Sequence, residues 1–352
     1  MIEALLQSGI SDPSSHLASY RSYLTLTTLM KKQPFDEGEL ELIRQECRSL
    51  RLDLVHLPCM SSSEANSFNV FPEPYYYEAF RLLLDDASRK EFLTDYLFDV
   101  SPPTDERPFY YDFLKLSRIR DLREALGKRW NPYLEGGLLV MAVVAQASLI
   151  SIAFLGLPLL ASKRTRQGVR GKARWVLYFL CLGGGYLLVE SCLLQKFILF
   201  LGQPAFAMAA ILFAMLVFSG LGSLWSSRYE PSRRLILLVV VGIVAFQAVL
   251  YASLSAVFEM LLGSHIWLRF GSSIAMVAPL AFLMGVPFPT GLRLLGKRNS
   301  EVIPLAYSAN GCASVIGSAG SVVLAGAVGF SNVILIAALV YAASATALPG
   351  GR

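Results

Sequence analysis

The stretch "WVLYFLCLGGGYLLVESCLLQKFILFLG", residues 175–202, decides how the rest of the chain is read. It is apolar for longer than the roughly 20 residues that a helix needs to cross the hydrocarbon of a bilayer. Six further runs meet the same test, at about 137–161, 205–225, 235–257, 266–290, 302–326 and 329–348. The last two are separated only by "VGFSN", so one long broken helix remains an alternative to two spans there. Trp175 and Trp267 stand at the starts of runs, where interfacial anchors are expected. The expected architecture is therefore an α-helical membrane bundle of about seven spans.

The loops between these runs alternate in charge. "SKRTRQGVRGKAR" (162–174) carries six basic residues, "SSRYEPSRR" (226–234) three and "RLLGKR" (293–298) three, whereas the connections at 202–203, 263–266 and 326–333 carry none. Lys and Arg concentrate on the cytoplasmic side of membrane proteins, which places the basic loops there. Residues 115–135 also carry six basic residues, a tie with the 162–174 flank. Either residues 1–134 lie outside, or the first apolar run is not a simple crossing.

Polar residues inside the runs are candidate sites. Glu190 lies 15 residues past Trp175, or about 22 Å along a helix, deep in the hydrocarbon. A carboxylate there costs a few kcal/mol on insertion scales and faces a partner, a cavity or the bundle interior. It serves either a proton, cation or substrate, or the structure, through a hydrogen bond to a neighbouring helix. Gln195 joins it as a polar candidate, and Lys196 is close enough to the helix end to snorkel. Six positions separate Glu190 from Lys196, about 120° around the helix, which argues against their pairing. In "AYSANGCASVIGSAGSVVLAG", Ala313, Gly317, Ser321 and Ala325 recur every four residues and form a stripe that permits close helix packing. Asn310 opens that face, placed to hydrogen-bond across it. "GVPFPTGLR" (285–293) has two prolines and two glycines, and is expected to break its helix and expose backbone groups.

The first third is different in kind. The whole chain is 54% hydrophobic and 16% charged, against roughly 25% charged in ordinary soluble domains. Residues 1–134 nevertheless hold 16 Lys/Arg and 21 Asp/Glu, while 135–352 hold 15 and 5. The basic residues fall between apolar runs and form no aromatic-interleaved patch, so no nucleic-acid partner is expected; the partner is the lipid bilayer. "SYLTLTTLM" reads as a strand. In "PFDEGELELIRQECRSL" Asp36 and Glu39 form a capping box, with Leu40, Ile43, Cys47 and Leu50 on one helical face. "LDLVHLP" reads as a second strand, with helices near 75–84 and 88–98. Strand, helix, strand in that order suggests part of a parallel sheet. His16, His56 and His265 are scattered, and the five cysteines show no metal-ligand spacing, so no metal site is expected. The N-terminus has neither the basic nor the apolar region of a signal peptide.

Between the two parts lies "SPPTDERPFYYDF" (101–113). Asp105, Glu106 and Arg107 followed by four rings mark either a catalytic cluster or a junction, with Asp105 and Arg107 paired to each other or to domain backbone. "LKLSRIRDLREAL" (114–126) puts Leu116, Ile119, Leu122 and Leu126 on one stripe. It is either an interfacial helix or an ordinary surface helix. The domain boundaries follow: 1–113 a partial α/β segment, 114–134 an amphipathic linker, 135–352 the membrane domain.

Several of these stretches together resemble the spermidine synthase-like membrane proteins of bacteria, which join a class I methyltransferase-type domain to a multi-pass region. The resemblance rests on "DPSSHLASYRSYLTLTTLMKKQPF" (12–35), "FNVFPEPYYYEAF" (68–80), "PPTDERPFYYDFL" (102–114), "GYLLVESCLLQKFILFLGQPAFA" (185–207), "FSGLGSLWSSR" (218–228), "MGVPFPTGLR" (284–293) and "ANGCASVIGS" (309–318). Glu106 and Tyr110 depart from the family's commoner TDDRPFF. The resemblance implies that residues 1–113 are the C-terminal remnant of a Rossmann-like domain, truncated at its N-terminal side, in a bacterial inner membrane protein. The family's glycine-rich cofactor turn and its catalytic aspartate lie upstream of the matched part. No GxGxxG follows a strand here, and "GGGY" (183–186) lies inside a membrane run. The chain is thus expected to lack complete aminopropyl or methyl transfer on its own. An S-adenosylmethionine-type ligand would need the missing half from a separate polypeptide, and no catalytic residue is assigned. The alternatives are a transporter for a small polar or cationic solute, built around Glu190, Gln195 and Asn310, and a non-enzymatic scaffold.

Overall fold

Only four residues, Ser22–Thr25, separate strand β1 (Leu17–Arg21) from β2 (Leu26–Met30), and so short a turn returns the chain antiparallel. β1 also pairs antiparallel with β3 (Asp53–His56), giving a three-stranded sheet of order β2-β1-β3. The expected parallel sheet is corrected by this pairing. "LASYR" (17–21), too polar to read as a strand, supplies the middle of the sheet, and "SYLTLTTLM" is half turn and half strand.

The computed structural model describes residues 1–109, 113–118, 120–121, 124, 127, 135–161, 169–298 and 300–349. The chain divides into two units. Residues 1–102 and 113–127 form one; residues 103–112 and 128–352 form the other. The amphipathic stripe expected over 114–126 falls largely outside the described residues.

In the first unit, α1 (Ile2–Gln7) precedes the sheet. α2 (Glu37–Ser49) starts on the expected capping box: the Glu39 backbone N–H donates to Asp36 at 2.8 Å, and the Asp36 N–H to Glu39 at 3.1 Å. Leu40 of α2 is buried with Ala18 and Leu57, and Phe35 and Ile43 pack on them. Leu50, expected on that face, is exposed because α2 ends before it. α3 (Tyr75–Leu84) and α4 (Asp86–Asp95) follow.

The second unit is a helical bundle: α5 (Glu135–Ala161), α6 (Val169–Leu201), α7 (Pro204–Ser227), α8 (Arg233–Leu261), α9 (Ile266–Met284), α10 (Pro287–Arg298), α11 (Ile303–Val328) and α12 (Phe330–Ala347). Among the described residues six stretches of it are long and apolar enough to cross a membrane; α9 and α10 count as one. The described side chains of α5, Leu139–Phe154, are apolar as well. This is a multi-pass membrane protein.

Close approach at glycines sets the packing. α6 lies at the centre, against α7, α11 and α12. A Cβ on Gly183 would stand 2.2 Å from the Asn310 carbonyl oxygen, and one on Gly317 2.8 Å from that of Gly184. The glycine triplet is therefore a helix-packing surface, and the expected stripe of Ala313, Gly317, Ser321 and Ala325 is buried. α7 and the end of α9 likewise touch through Gly222 and Gly285, where a Cβ would stand 2.0 Å from the carbonyl oxygens of Phe282 and Ser219. Small residues let backbones approach this closely, and dispersion then acts over the whole length of each pair.

The same contacts give direction. Gly183 meets Asn310 and Gly184 meets Gly317, so α6 and α11 run parallel. Gly185 lies under the Tyr341 ring, whereas Lys196 and Ser331 share the Glu106 carboxylate, so α12 runs antiparallel to α6. Residues 303–347 are thus two crossings turned at Gly329 (φ +85), not one broken helix.

The expected break at "GVPFPTGLR" separates α9 from α10. The backbone there is used internally: the buried Tyr178 hydroxyl donates to the Pro287 carbonyl at 2.7 Å. Trp175 is buried against Tyr178 and Phe179, whereas Trp267 is exposed.

Candidate functional site

Residues 104–107 form a tight turn. The Arg107 N–H donates to the Thr104 carbonyl at 2.9 Å and also reaches the Thr104 hydroxyl, and the Thr104 N–H returns to the Arg107 carbonyl. Prolines 102, 103 and 108 bracket it, and fixed φ angles favour such a compact turn. The turn leaves Asp105 exposed at its tip and directs Glu106 into the helical unit.

Glu106 there binds the start of α12 and the end of α6 together. Its backbone carbonyl accepts from the Phe330 N–H at 3.0 Å. Its carboxylate accepts from the Ser331 N–H and from the Ser331 hydroxyl, both at 2.8 Å. Lys196 Nζ donates to the same carboxylate at 2.6 Å. The first N–H groups of a helix have no internal partner, and a negative charge at that end is favoured by the helix dipole. α12 has no capping side chain of its own, because Gly329 precedes it. Glu106 therefore caps α12 from more than two hundred residues away. A Cβ on Gly329 would meet Glu106 at ordinary contact distances of 3.4–3.7 Å, so it is the positive φ that calls for glycine there. Phe109 completes the anchor, packing on the apolar core with its ring 5.6 Å from that of Phe330.

Electrostatics follow from these partners. Partial burial works to raise the Glu106 pKa. The hydrogen bonds from Lys196 and Ser331, with the Lys196 charge, outweigh it and hold the carboxyl below the usual carboxylate range. A carboxylate so engaged is a strong acceptor and a weak base, fitted to holding the chain rather than moving protons.

The structure brings together one residue from each expected group, Glu106 from the junction motif and Lys196 from the intramembrane set. The other candidates stand apart. Lys196 does not snorkel to water; it is buried and paired. Glu190 is half-buried with no hydrogen bond or ion pair to another described residue. Gln195 is exposed on the side of α6. The Asn310 side chain likewise has no hydrogen-bonded partner among the described residues; its carbonyl accepts from Ser314 and abuts Gly183. Gly183 and Glu190 are seven residues apart, so Asn310 and Glu190 differ in depth by about 10 Å. A cavity of about 510 Å³ lies between α5 and α11, lined by Val143, Ile150, Phe154 and Val315 with Gln146 and Ser308; none of the four expected polar residues lines it.

Three polar residues had no signal in the sequence. Ser331 is an ordinary serine until Glu106 reaches it. Gln247 in α8 is fully buried with both amide atoms unpartnered among the described residues. Arg269 lies over the Phe200 ring at 5.0 Å.

The α/β unit has a polar centre of its own. Arg21 and Asp53 form a buried ion pair at 3.3 Å. Asp53 also accepts from the backbone N–H groups of Phe68 and Asn69 at 2.7 and 2.8 Å, and from the Asn69 side chain at 2.9 Å. Arg21 lies over Phe71 and Tyr76 at 4.5 and 5.0 Å. The adjoining cavity, about 10 Å³, has room for one water, so this is a fastening for residues 66–76 and no ligand pocket. The histidines serve structure: His56 stacks on Phe80 at 4.8 Å, His16 meets the Lys31 carbonyl, and His265 caps α9. Among the described residues no three His, Cys, Asp or Glu side chains gather as a metal site would require. Comparison of the chain with protein-family models, with curated proteins and with solved structures gave no match.

Proposed function

We propose that this chain is the membrane portion of a spermidine synthase-like protein, in which residues 103–109 lock the entry of the chain to the bundle and perform no chemistry. The observation that carries this reading is the engagement of Glu106 by Lys196 and the first turn of α12. Residues 1–113 are then the C-terminal part of a Rossmann-like domain. No glycine-rich strand-to-helix turn is present in the 352 residues, so an S-adenosylmethionine-type ligand requires residues beyond these, for which a separate polypeptide is the proposed source. Aminopropyl or methyl transfer by this chain alone is not expected. Equilibrium dialysis of the purified chain against S-adenosylmethionine tests the reading. No saturable binding is expected, and saturable binding would overturn it.

A second reading, a transporter-like protein for a small cationic solute in a bacterial inner membrane, draws on Glu190 and Gln247. Polar side chains without partners at membrane depth are costly and often functional. It predicts cation uptake into proteoliposomes that Glu190→Gln abolishes; absence of uptake by the unaltered chain removes it.

A further inference from the structure

We infer that the end of the bundle where residues 103–109 dock is the extracytoplasmic one, and that the α/β segment faces that compartment. The docking geometry identifies the end. Glu106 joins Lys196, five residues before the end of α6, to the start of α12. That end carries the connections at 202–203, 262–265 and 329, which hold no Lys or Arg; its basic side chains are Arg107 of the docked turn, Lys196 and Arg269. The opposite end carries twelve Lys and Arg in 162–174, 226–234 and 293–298. There Arg293 donates to the carbonyls of Ser226 and Tyr229 at the end of α7, and Lys297 pairs with Glu230. Basic residues of short loops mark the cytoplasmic side, so residues 103–109 are outside.

Of the six basic residues in the competing stretch, 115–135, two are tied into the α/β unit, which leaves four against the twelve of the opposite loops. Lys115 donates to the carbonyls of Leu93, Thr94 and Tyr96, and Arg118 pairs with Asp95. Both belong to the folded α/β unit, and folded domains translocate largely regardless of their charge.

The depth of α5 agrees. The Cys312 thiol meets the Ser151 carbonyl at 3.8 Å. Ser151 is 16 residues from the start of α5, and Cys312 is 16 residues from the end of α11, so each lies about 24 Å from its terminus. An α5 that begins at the docked end, level with the finish of α11, and runs inward puts Ser151 at the depth of Cys312, as this contact requires. No helix within residues 1–102 is long and apolar enough to cross, so the α/β segment stays on the side of Pro103. This goes beyond the proposed function and limits it, since a segment so placed has no access to nucleoside cofactors of the cytosol.

Cysteine accessibility in the full-length chain, expressed in a bacterial host, tests the placement. Cys59 is exposed in the α/β unit; Cys47 is buried, and the other three lie in membrane helices. A membrane-impermeant sulfonated maleimide is expected to add one adduct per chain at Cys59 in intact spheroplasts, lost in Cys59→Ser. A cysteine placed at the other end by Ser300→Cys is expected to react only after lysis. Ser62→Cys in the Cys59→Ser background repeats the outside reading at a second position, and detergent-solubilised protein supplies the fully reactive reference. Protection of both Cys59 and the position-62 thiol until lysis would overturn the inference, whatever the result with S-adenosylmethionine.

Discussion

Two acidic side chains, Asp53 in the α/β unit and Glu106 in the helical unit, each gather a cation and backbone N–H groups, yet they do different work. Asp53 is wholly buried, and its partners Arg21, Phe68 and Asn69 lie 32, 15 and 16 residues from it. It fastens a loop to the sheet strand next to its own. Glu106 leaves 44% of its side chain accessible, and its partners lie 90 and 225 residues away. It fastens a chain segment to two helices that already pack on one another. The first device resists unfolding of a unit, whereas the second fixes where a segment enters one.

The largest expected effect breaks the first device. Asp53→Ala leaves Arg21 charged and buried, and losing one partner of a buried pair costs roughly 3–5 kcal/mol. Hydrogen exchange across residues 66–76 should approach that of an unstructured chain, while helices α6–α12 keep their protection.

Gly222→Ala acts within the helical unit but away from the second device, on the packing of α7 against α9. Its Cβ meets backbone, not a movable side chain, and overpacking of this kind costs about 1–3 kcal/mol. A lower unfolding temperature in detergent is expected, with exchange at 66–76 unaltered.

Gly329→Ala acts on the Glu106 device itself. The positive φ costs an L-residue about 1–2 kcal/mol, and faster exchange should appear in the first turn of α12. Lys196→Met is expected to be milder, about 1 kcal/mol, because Glu106 is partly solvated and water screens the pair. That corresponds to roughly fivefold faster exchange at residues 104–109. A double-mutant cycle with Glu106→Gln should return a coupling of the same size, and no coupling would remove the ion pair from the account.

Acid gives the smallest and most selective effect. The Glu106 carboxyl is held below its unfolded value, so between the two values the unfolded chain binds the extra proton. The stabilisation is complete above about pH 4.3 and is lost as pH falls through the depressed folded value. Asp53 is also depressed: burial opposes ionisation, and the bonds from Phe68 and Asn69 with the Arg21 charge prevail. Protection factors at 104–109 and at 66–76, taken against the intrinsic exchange rate at each pH, should therefore be flat between pH 6 and 8 and should fall below the carboxylate range.

Much of the bundle was legible because hydrophobic length and small-residue spacing are local properties. The run at 302–326 predicts α11 within two residues at each end, and Ala313, Gly317, Ser321 and Ala325 all face a neighbour as their spacing requires. The capping box at Asp36 and Glu39 was legible for the same reason. The candidate site was legible only in halves. Glu106 drew notice for its setting among charges and rings, and Lys196 for its place in a membrane run, but nothing in the spacing joins residues 90 positions apart. Ser331 and Gly329 gave no sign at all, since a serine and a glycine at a turn are ordinary. The antiparallel sheet was missed because its central strand is polar in part, and pairing partners are set by tertiary contact.

By itself, then, the sequence determined that this chain crosses a membrane repeatedly, where its helices begin and end, and which faces pack tightly. These follow from the transfer of apolar side chains and the steric size of Gly, Ala and Ser, which each residue carries with it. Only the tertiary structure decided that α11 and α12 are separate crossings, that the Pro287 carbonyl is taken by Tyr178, and that Glu106 binds Lys196 and the start of α12. Hydrogen bonds and ion pairs act over a few ångströms, and which groups come within that distance is fixed by how the helices assemble.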